Sequence, residues 1–297
     1  MWNLIKIGQI TKRIWDQKDP KNHYEDTYER LSDVVHLYGE MLFPFNIITM
    51  KKFKKHEKGL QLALGRDRYS KEWQETVLVP EMLNTEYLKS LPANTVGAHY
   101  QHLLGQWSFE ELYEGRFTED TQAGKLKPWV QNFMSRIVGL KHIDPDINGD
   151  IIRANISRHI FLAHDFWHII FRYNTDVMGE ACIQAVTCSF IKHAAPWYLA
   201  HVIALRESYK YRTWQPWKAV RECRKMLKEV DEEFYYLDFK DLLESDVQEL
   251  REKYNIQFPK EYWKLQSALP KQATRRDAIH PEYNDVDASK AMGAIAL

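Results

Sequence analysis

Along most of this chain apolar side chains recur at the three- and four-residue spacing of helices, and strict alternation is confined to short runs. Leu4, Ile7, Thr11, Ile14 and Trp15 form the first stripe, which Pro20 ends. Tyr28 to Leu42 reads as a second helix up to Phe43-Pro44. Pro80 opens a helix to Leu88, and Thr95 to Leu104 forms another that Gly105 stops. Pro128 to Leu140 is helical and leads into a turn from His142 to Asp150. A long helix follows from Ile151 to Tyr173, then three more over Asp176 to Lys192, Pro196 to Arg212 and Pro216 to Phe234. Phe239 to Tyr254 is one helix or two short ones. From about Ser267 the chain is polar and poor in large apolar residues. The pattern predicts an all-α fold: a single multi-helix domain with an N-terminal helical extension (1–60), a helical core (61–262) and a mobile polar C-terminal tail (263–297).

Composition narrows the function classes. A chain of 297 residues can bury one sizeable core. Its 41 basic and 41 acidic residues cancel, which disfavours nucleic acid as a partner. Ten Trp, sixteen Tyr and thirteen Phe suit a pocket for a planar or greasy ligand, although most such side chains simply fill helical cores. The cysteines are Cys182, Cys188 and Cys223; an odd count without framework spacing points to a reducing compartment. No apolar run reaches the ~18 residues of a membrane span. The first residues lack a small-residue cleavage site, and acidic residues come early, so a cytoplasmic location is expected.

The chemistry concentrates in His164-Asp165-Phe166-Trp167-His168, followed after eleven residues by Glu180. On a helix His164 and His168 share one face, with Asp165 about 100° round from His164. Glu180 cannot lie on the same straight helix, because sixteen residues at ~1.5 Å rise would carry it roughly 24 Å away. Asn174 favours a turn, and Thr175 or Asp176 can cap a new helix with Glu180 near its start. Helix, turn and helix would then gather His164, Asp165, His168 and Glu180 on one metal ion. Nitrogen and oxygen donors without thiolate suit zinc, or manganese, cobalt or iron. The plainer alternative is a pair of satisfied core histidines beside a solvated Asp165.

Three other readings of nearby residues are weaker. Asp144, Asp146, Asn148 and Gly149 resemble half a calcium loop, but the twelfth position is Asn155 rather than a bidentate Glu. A phosphohydrolase scheme using His142, His164-Asp165 and Asp231 or Asp238 leaves His168 and Glu180 idle. A zinc protease of the His-Glu-x-x-His type lacks its general-base Glu, since Asp165 stands there.

The His-Asp-x-x-His motif with its distant Glu resembles the signature of the coenzyme Q biosynthesis protein 4 family. Further segments agree in order: Leu91-Pro92 through Gly97 to Tyr100, Asp144-Pro145-Asp146, Pro196, and Leu237-Asp238-Phe239 through Leu250-Arg251 to Ile256. The resemblance covers roughly residues 86 to 257. It departs where the family places arginines before His-Asp, since this chain has Phe161-Leu162-Ala163, with Arg158 a turn early.

The resemblance implies an enzyme of ubiquinone biosynthesis that removes the ring carboxylate of a polyprenyl-hydroxybenzoate-type intermediate with a divalent metal, most simply zinc. His164, Asp165, His168 and Glu180 would be its ligands, and Glu180 and Asp165 its catalytic carboxylates. The alternative is a non-catalytic prenyl-lipid-binding organiser of the biosynthetic complex, with a structural metal. Expected partners are the polyprenylated aromatic substrate, other ubiquinone-biosynthesis proteins and a membrane surface, with a homodimer also allowed. The chain would sit peripherally on the inner membrane, on the matrix face in a eukaryote. A sequence feature fits a membrane: apolar Met41 to Ile48, with Phe43 and Phe45, runs into Lys51, Lys52, Lys54, Lys55 and Lys58. A core segment followed by a solvated helix would read the same way.

Overall fold

The computed structural model describes residues 4–16, 37, 41, 46–107, 150–269, 278–280 and 282–283. Among them there is no strand, only an isolated antiparallel bridge between Thr95 and Asp246, and the all-α expectation holds. The helices are α1 (Leu4–Asp16), α2 (Asn46–Tyr69, kinked at Gly65), α3 (Thr85–Ser90), α4 (Val96–Trp107), α5 (Asp150–Phe171), α6 (Val177–Ile191), α7 (Ala194–Tyr211), α8 (Gln215–Met226), α9 (Phe239–Glu244), α10 (Val247–Lys253) and α11 (Lys260–Ala268). Between α2 and α3 runs an irregular helical stretch, Lys71–Met82, with a π turn at Gln74–Leu78.

The motif helix α5 lies at the centre. Its Ile156, Leu162, Phe166, Ile169 and Ile170 are fully buried, packed among side chains of α2, α4, α6 and α10. Each such side chain contributes about 1.5–3 kcal/mol on burial. A smaller cluster joins Ile7, Ile10 and Ile14 of α1 to Ala195, Leu199 and Val202 of α7, with Leu37 and Met41. Of the first predicted stripe, Leu4 and Trp15 are exposed instead, and Ile10 takes an inner position.

Several predicted boundaries move for local reasons. Gly105 does not stop α4, which continues to Trp107; a lone helical glycine costs only about 1 kcal/mol. The helix opened near Pro216 ends at Met226 rather than Phe234, because Asp231 caps a separate 3-10 turn, Glu232–Tyr236, by accepting from the Glu233 N–H at 3.0 Å. Asn84 likewise caps α3 separately, so the helix from Pro80 breaks before Leu88. Asp246 divides Phe239 to Tyr254 into α9 and α10. Four non-glycine residues, Arg172, Lys192, Arg212 and Asn255, take the left-handed conformation just past helix ends. Each costs roughly 1–2 kcal/mol against glycine, and the three cations offset part of this at the negative helix end.

The proposed division at residue 60 falls inside α2, whose Phe53 and Leu60 belong to the main core. The division at 263 falls inside α11, whose Tyr262, Trp263 and Leu265 are buried. The helices expected over Tyr28 to Leu42 (apart from Leu37 and Met41) and Pro128 to Leu140, the turn expected from His142 to Gly149, and the Phe43–Phe45 segment lie outside the described residues. No described helix is long and apolar enough to cross a membrane. On α2, Lys51, Lys54 and Lys58 are exposed, whereas Lys52 and Lys55 both pair with Glu232, Lys52 at 3.0 Å.

Candidate metal centre

Two helix ends and a five-residue turn build the site. At the end of α5, Arg172 in its left-handed conformation lets the Tyr173 N–H donate to the His168 carbonyl (3.0 Å) and its own N–H to that of Ile169 (3.3 Å). This folds the chain back so that the Tyr173 carbonyl accepts from Nδ1 of His168 at 2.8 Å. Helix α6 then starts at Asp176, whose Oδ1 accepts from the N–H groups of Met178 (2.9 Å) and Gly179 (3.1 Å), placing Glu180 in the first turn. The turn is tied from α11: the Tyr262 hydroxyl accepts from the Asn174 N–H (3.0 Å) and donates to Asp176 Oδ2 (2.6 Å), which also accepts from Gln266 (2.8 Å).

Gly179 is needed here for close approach, not for an unusual φ. A Cβ at this position would lie 1.7 Å from the Asn174 carbonyl oxygen, well inside any tolerable contact. Gly179→Ala must therefore push α6 away from the turn. We expect it to cost at least about 3 kcal/mol of stability, read as a fall in urea midpoint, and to weaken metal uptake as Glu180 withdraws. An unchanged midpoint would show that the turn yields without cost.

The donors of His164, His168 and Glu180 cluster at one point, the carboxylate facing each ring with a different oxygen. His164 Nε2 and His168 Nε2 are 3.1 Å apart, His164 Nε2 lies 3.3 Å from Glu180 Oε2, and His168 Nε2 lies 3.4 Å from Glu180 Oε1. Donors bound at ~2.0–2.1 Å around a tetrahedral ion stand about 3.3–3.4 Å apart. Each ring is near that distance from its own carboxylate oxygen, and with one atom from each residue the group lies within 4.8 Å, so a small rotation of Glu180 would bring it to three corners of such a site. Because Nδ1 of His168 donates to Tyr173, its neutral form turns the Nε2 lone pair toward the other two donors. His168 is fully buried, but the side chains of His164 and Glu180 remain 28% and 39% exposed, so one side of the group faces outward. Two imidazoles and one carboxylate are a donor set suited to zinc, or to iron as a facial triad with open positions.

Charge marks His168 out from the other buried histidines. Burial lowers His56 and His159 to about 4 and about 3; each has a backbone carbonyl partner, Phe190 and Tyr235 respectively. Burial also works against a charged His168, yet the Glu180 carboxylate, its hydrogen bond and the Asp165 charge raise it to about 9. Burial would raise Glu180, but the charges and hydrogen bonds of His168 and His164 hold it well below the usual carboxylate range.

Of the four predicted ligands, the structure groups His164, His168 and Glu180, with donor atoms within 4.8 Å of one another. Asp165 is not part of that group; it stands one position round the helix and acts on His168 through its charge. Sequence reasoning did not single out Gly179, the Tyr173 carbonyl, Arg251 or Tyr262 as contributors. A glycine beside Glu180 was the one local signal. The apolar side chains flanking the motif, such as Phe166, Ile170, Ile183 and Phe190, pack against one another in the core. A cavity of about 10 Å³ beside His159 and Phe239 has room for no more than about one water.

Residues 151–260 match the family model described as Coenzyme Q (ubiquinone) biosynthesis protein Coq4. The matched stretch runs from the start of α5 through α10 and holds all three grouped donors. No curated protein matches the sequence. Among solved structures, the chain is similar to the crystal structure of a putative ubiquinone biosynthesis protein from Nostoc punctiforme, at 13% identity and a TM-score of 0.49, over 86% of this chain and 99% of that one.

Proposed function

We propose that this chain, whose residues 151–260 match the model of the Coenzyme Q (ubiquinone) biosynthesis protein Coq4 family, is a metal-dependent decarboxylase of ubiquinone biosynthesis. The proposed substrate is a polyprenyl-hydroxybenzoate-type intermediate, whose ring carboxylate is lost with or without hydroxylation at the same carbon. The observation that carries this reading is the group of three donors with one side facing outward. A purely structural ion would be closed by four protein ligands, whereas a catalytic one keeps a position open.

His164, His168 and Glu180 would hold a divalent ion, zinc or alternatively manganese, cobalt or iron. When bound, such an ion supplies Lewis acidity toward a ligand in its open position. Tyr173 fixes the ring of His168 through Nδ1, so that Nε2, once an incoming ion has displaced its proton, would turn its lone pair to the site. Glu180 contributes one negative charge, and Asp165 a second at longer range, so a dication held here would be close to neutral and would not repel an anionic substrate. The half-exposed faces of His164 and Glu180 leave the approach to the ring carboxylate from outside the bundle. The small cavity beside α5, among the described residues, cannot hold the isoprenoid tail.

The test is decarboxylation of a short-chain prenyl-hydroxybenzoate by purified protein stripped with a chelator and reloaded with Zn²⁺, Mn²⁺, Co²⁺ or Fe²⁺ in turn. We expect carbon dioxide release to require reloading and to return to at least ten times the stripped rate with one of the ions. Equal release before and after stripping would exclude a metal-dependent reaction.

A further inference from the structure

Arg251 is the largest fully buried side chain among the described residues, 2% exposed, and it points at the end of the motif helix. Its Nε donates to the Ile170 carbonyl at 3.0 Å and its Nη2 to the Ile169 carbonyl at 2.9 Å. These are the two peptide groups directly after His168. Helix ends leave their last carbonyls without intrahelical partners. Here the Tyr173 and Arg172 N–H groups serve His168 and Ile169, while Ile170 and Phe171 are wholly buried and out of reach of bulk water. A protein donor is therefore needed at Ile170, but a neutral one would suffice. A buried guanidinium costs several kcal/mol in lost hydration, part of which is returned by the negative end of α5 and by the charge of Asp246 at the start of α10.

What the guanidinium adds is geometry. Its planar fork serves two neighbouring carbonyls at once and so fixes their mutual orientation, which an ammonium on a flexible stem does not. The post that carries it is itself tied down. Helix α10 is capped by Asp246, and its start is bonded to the beginning of α4 through Val96 N–H to Ser245 O (3.0 Å) and Val247 N–H to Asn94 O (2.9 Å). The last turn of α5 is thus held between α10 on one side and the Tyr173 turn on the other. Metal sites tolerate misplacement of only about 0.2 Å in their ligand distances.

We propose that Arg251 is a positioning residue for His168: by bridging the Ile169 and Ile170 carbonyls it locks the final turn of α5 and keeps the imidazole Nε2 aimed at His164 and Glu180. The inference rests on the reading of His164, His168 and Glu180 as a metal site. It concerns that site's assembly and adds a residue from an element remote in sequence.

The experiment compares the full-length parent with Arg251→Lys and Arg251→Gln, using Arg206→Lys as control. Arg206 is another buried arginine bonded to a helix-end carbonyl, but it holds α1 through Trp15 O at 3.1 Å. Zn²⁺ affinity is measured by chelator competition well below each protein's melting temperature, and the Co²⁺ absorption spectrum reports ligand geometry. Both Arg251 variants should bind Zn²⁺ at least tenfold more weakly than the parent and show an altered Co²⁺ spectrum. The control should melt earlier yet keep the parent's affinity and spectrum. Unchanged affinity and spectrum in the Arg251 variants, or equal losses in the control, would overturn the inference. Failure of both Arg251 variants to fold would also overturn it, in favour of a purely structural arginine. A parent that binds neither ion would instead sink the metal site itself.

Discussion

His168→Ala protein should retain less than about one hundredth of the parent's affinity for Zn²⁺ while remaining helical. Removing one of three donors leaves a two-point site, and the ~10–16 kcal/mol typical of a full protein zinc site does not survive such a loss. The substitution also deletes the Nδ1 bond to Tyr173 O and leaves a cavity in a fully buried position, so some destabilisation is unavoidable. His159→Ala separates the two effects. It lies on the same helix and is equally buried, but its ring bonds to Tyr235 O and contributes no donor to the group. Both variants should lose stability of order 2–4 kcal/mol, and only His168→Ala should lose the ion. Equal metal retention in the two would remove His168 from the site.

The same measurement has a pH signature. In the metal-free protein His168 is protonated up to about 9, and an incoming ion must displace the proton on Nε2. Apparent affinity should therefore climb about tenfold per pH unit between pH 6 and 8. The metal-free fold runs the other way. His168 has its pKa raised above the ordinary 6.5, so its stabilising contribution is whole below that value and is lost as pH rises through about 9. Glu180 is lowered from 4.5, so its contribution holds above that value and is lost on acidification. Alkaline conditions thus loosen the empty site while favouring the filled one.

How much of this could be read from the chain follows from which interactions are local. The pairing of His164 with His168 is a property of helical pitch, and the Asn174 to Asp176 turn is a property of side chains that bond their own backbone. Both were legible. So was Glu180 in the first turn of the next helix, because Asp176 caps it. Asp165 could not be decided from spacing, since one position round the helix is a matter of how α5 is rotated against its neighbours. The ends of α4 and α8 differ from those the sequence predicts because glycine is a weak helix stop and Asp231 a strong cap. Nothing local marks Arg251 or Tyr262. Their partners lie 81 and 86 residues away, and only the packed bundle brings them to the ends of α5 and α6. The extent of α11 is non-local in the same way: Trp263 and Leu265 are apolar residues in a polar neighbourhood, and their burial depends on α8, against which α11 packs.

Glu180→Gln should leave the protein folded within a few degrees of the parent's melting temperature and lower its decarboxylation rate by at least about a hundredfold. The substitution keeps the side chain's length and one carbonyl oxygen, so the helix start and the Asp176 cap are undisturbed. Stability should fall only modestly, because the Glu180 side chain is 39% exposed and, without its charge, the buried His168 sheds its proton rather than remain an unpaired cation. Chemistry should change much more. The site loses the only carboxylate within its donor group, and any ion held there becomes more positive toward its substrate and more weakly bound. A charge-neutral site would become a cationic one, altering both the basicity of a bound water and the grip on the leaving carboxylate. If the ion only pinned α5 to α6, the order would reverse: melting temperature would fall with the weakened site, and function would follow the folded fraction alone. Quinone synthesis in a deficient host decides between them at equal protein level. Full rescue by Glu180→Gln would mean that the metal holds the helices together and that the decarboxylation belongs to another protein, with this chain its lipid-binding organiser. Rescue lost while the variant remains abundant and folded would put Glu180 at the reacting centre.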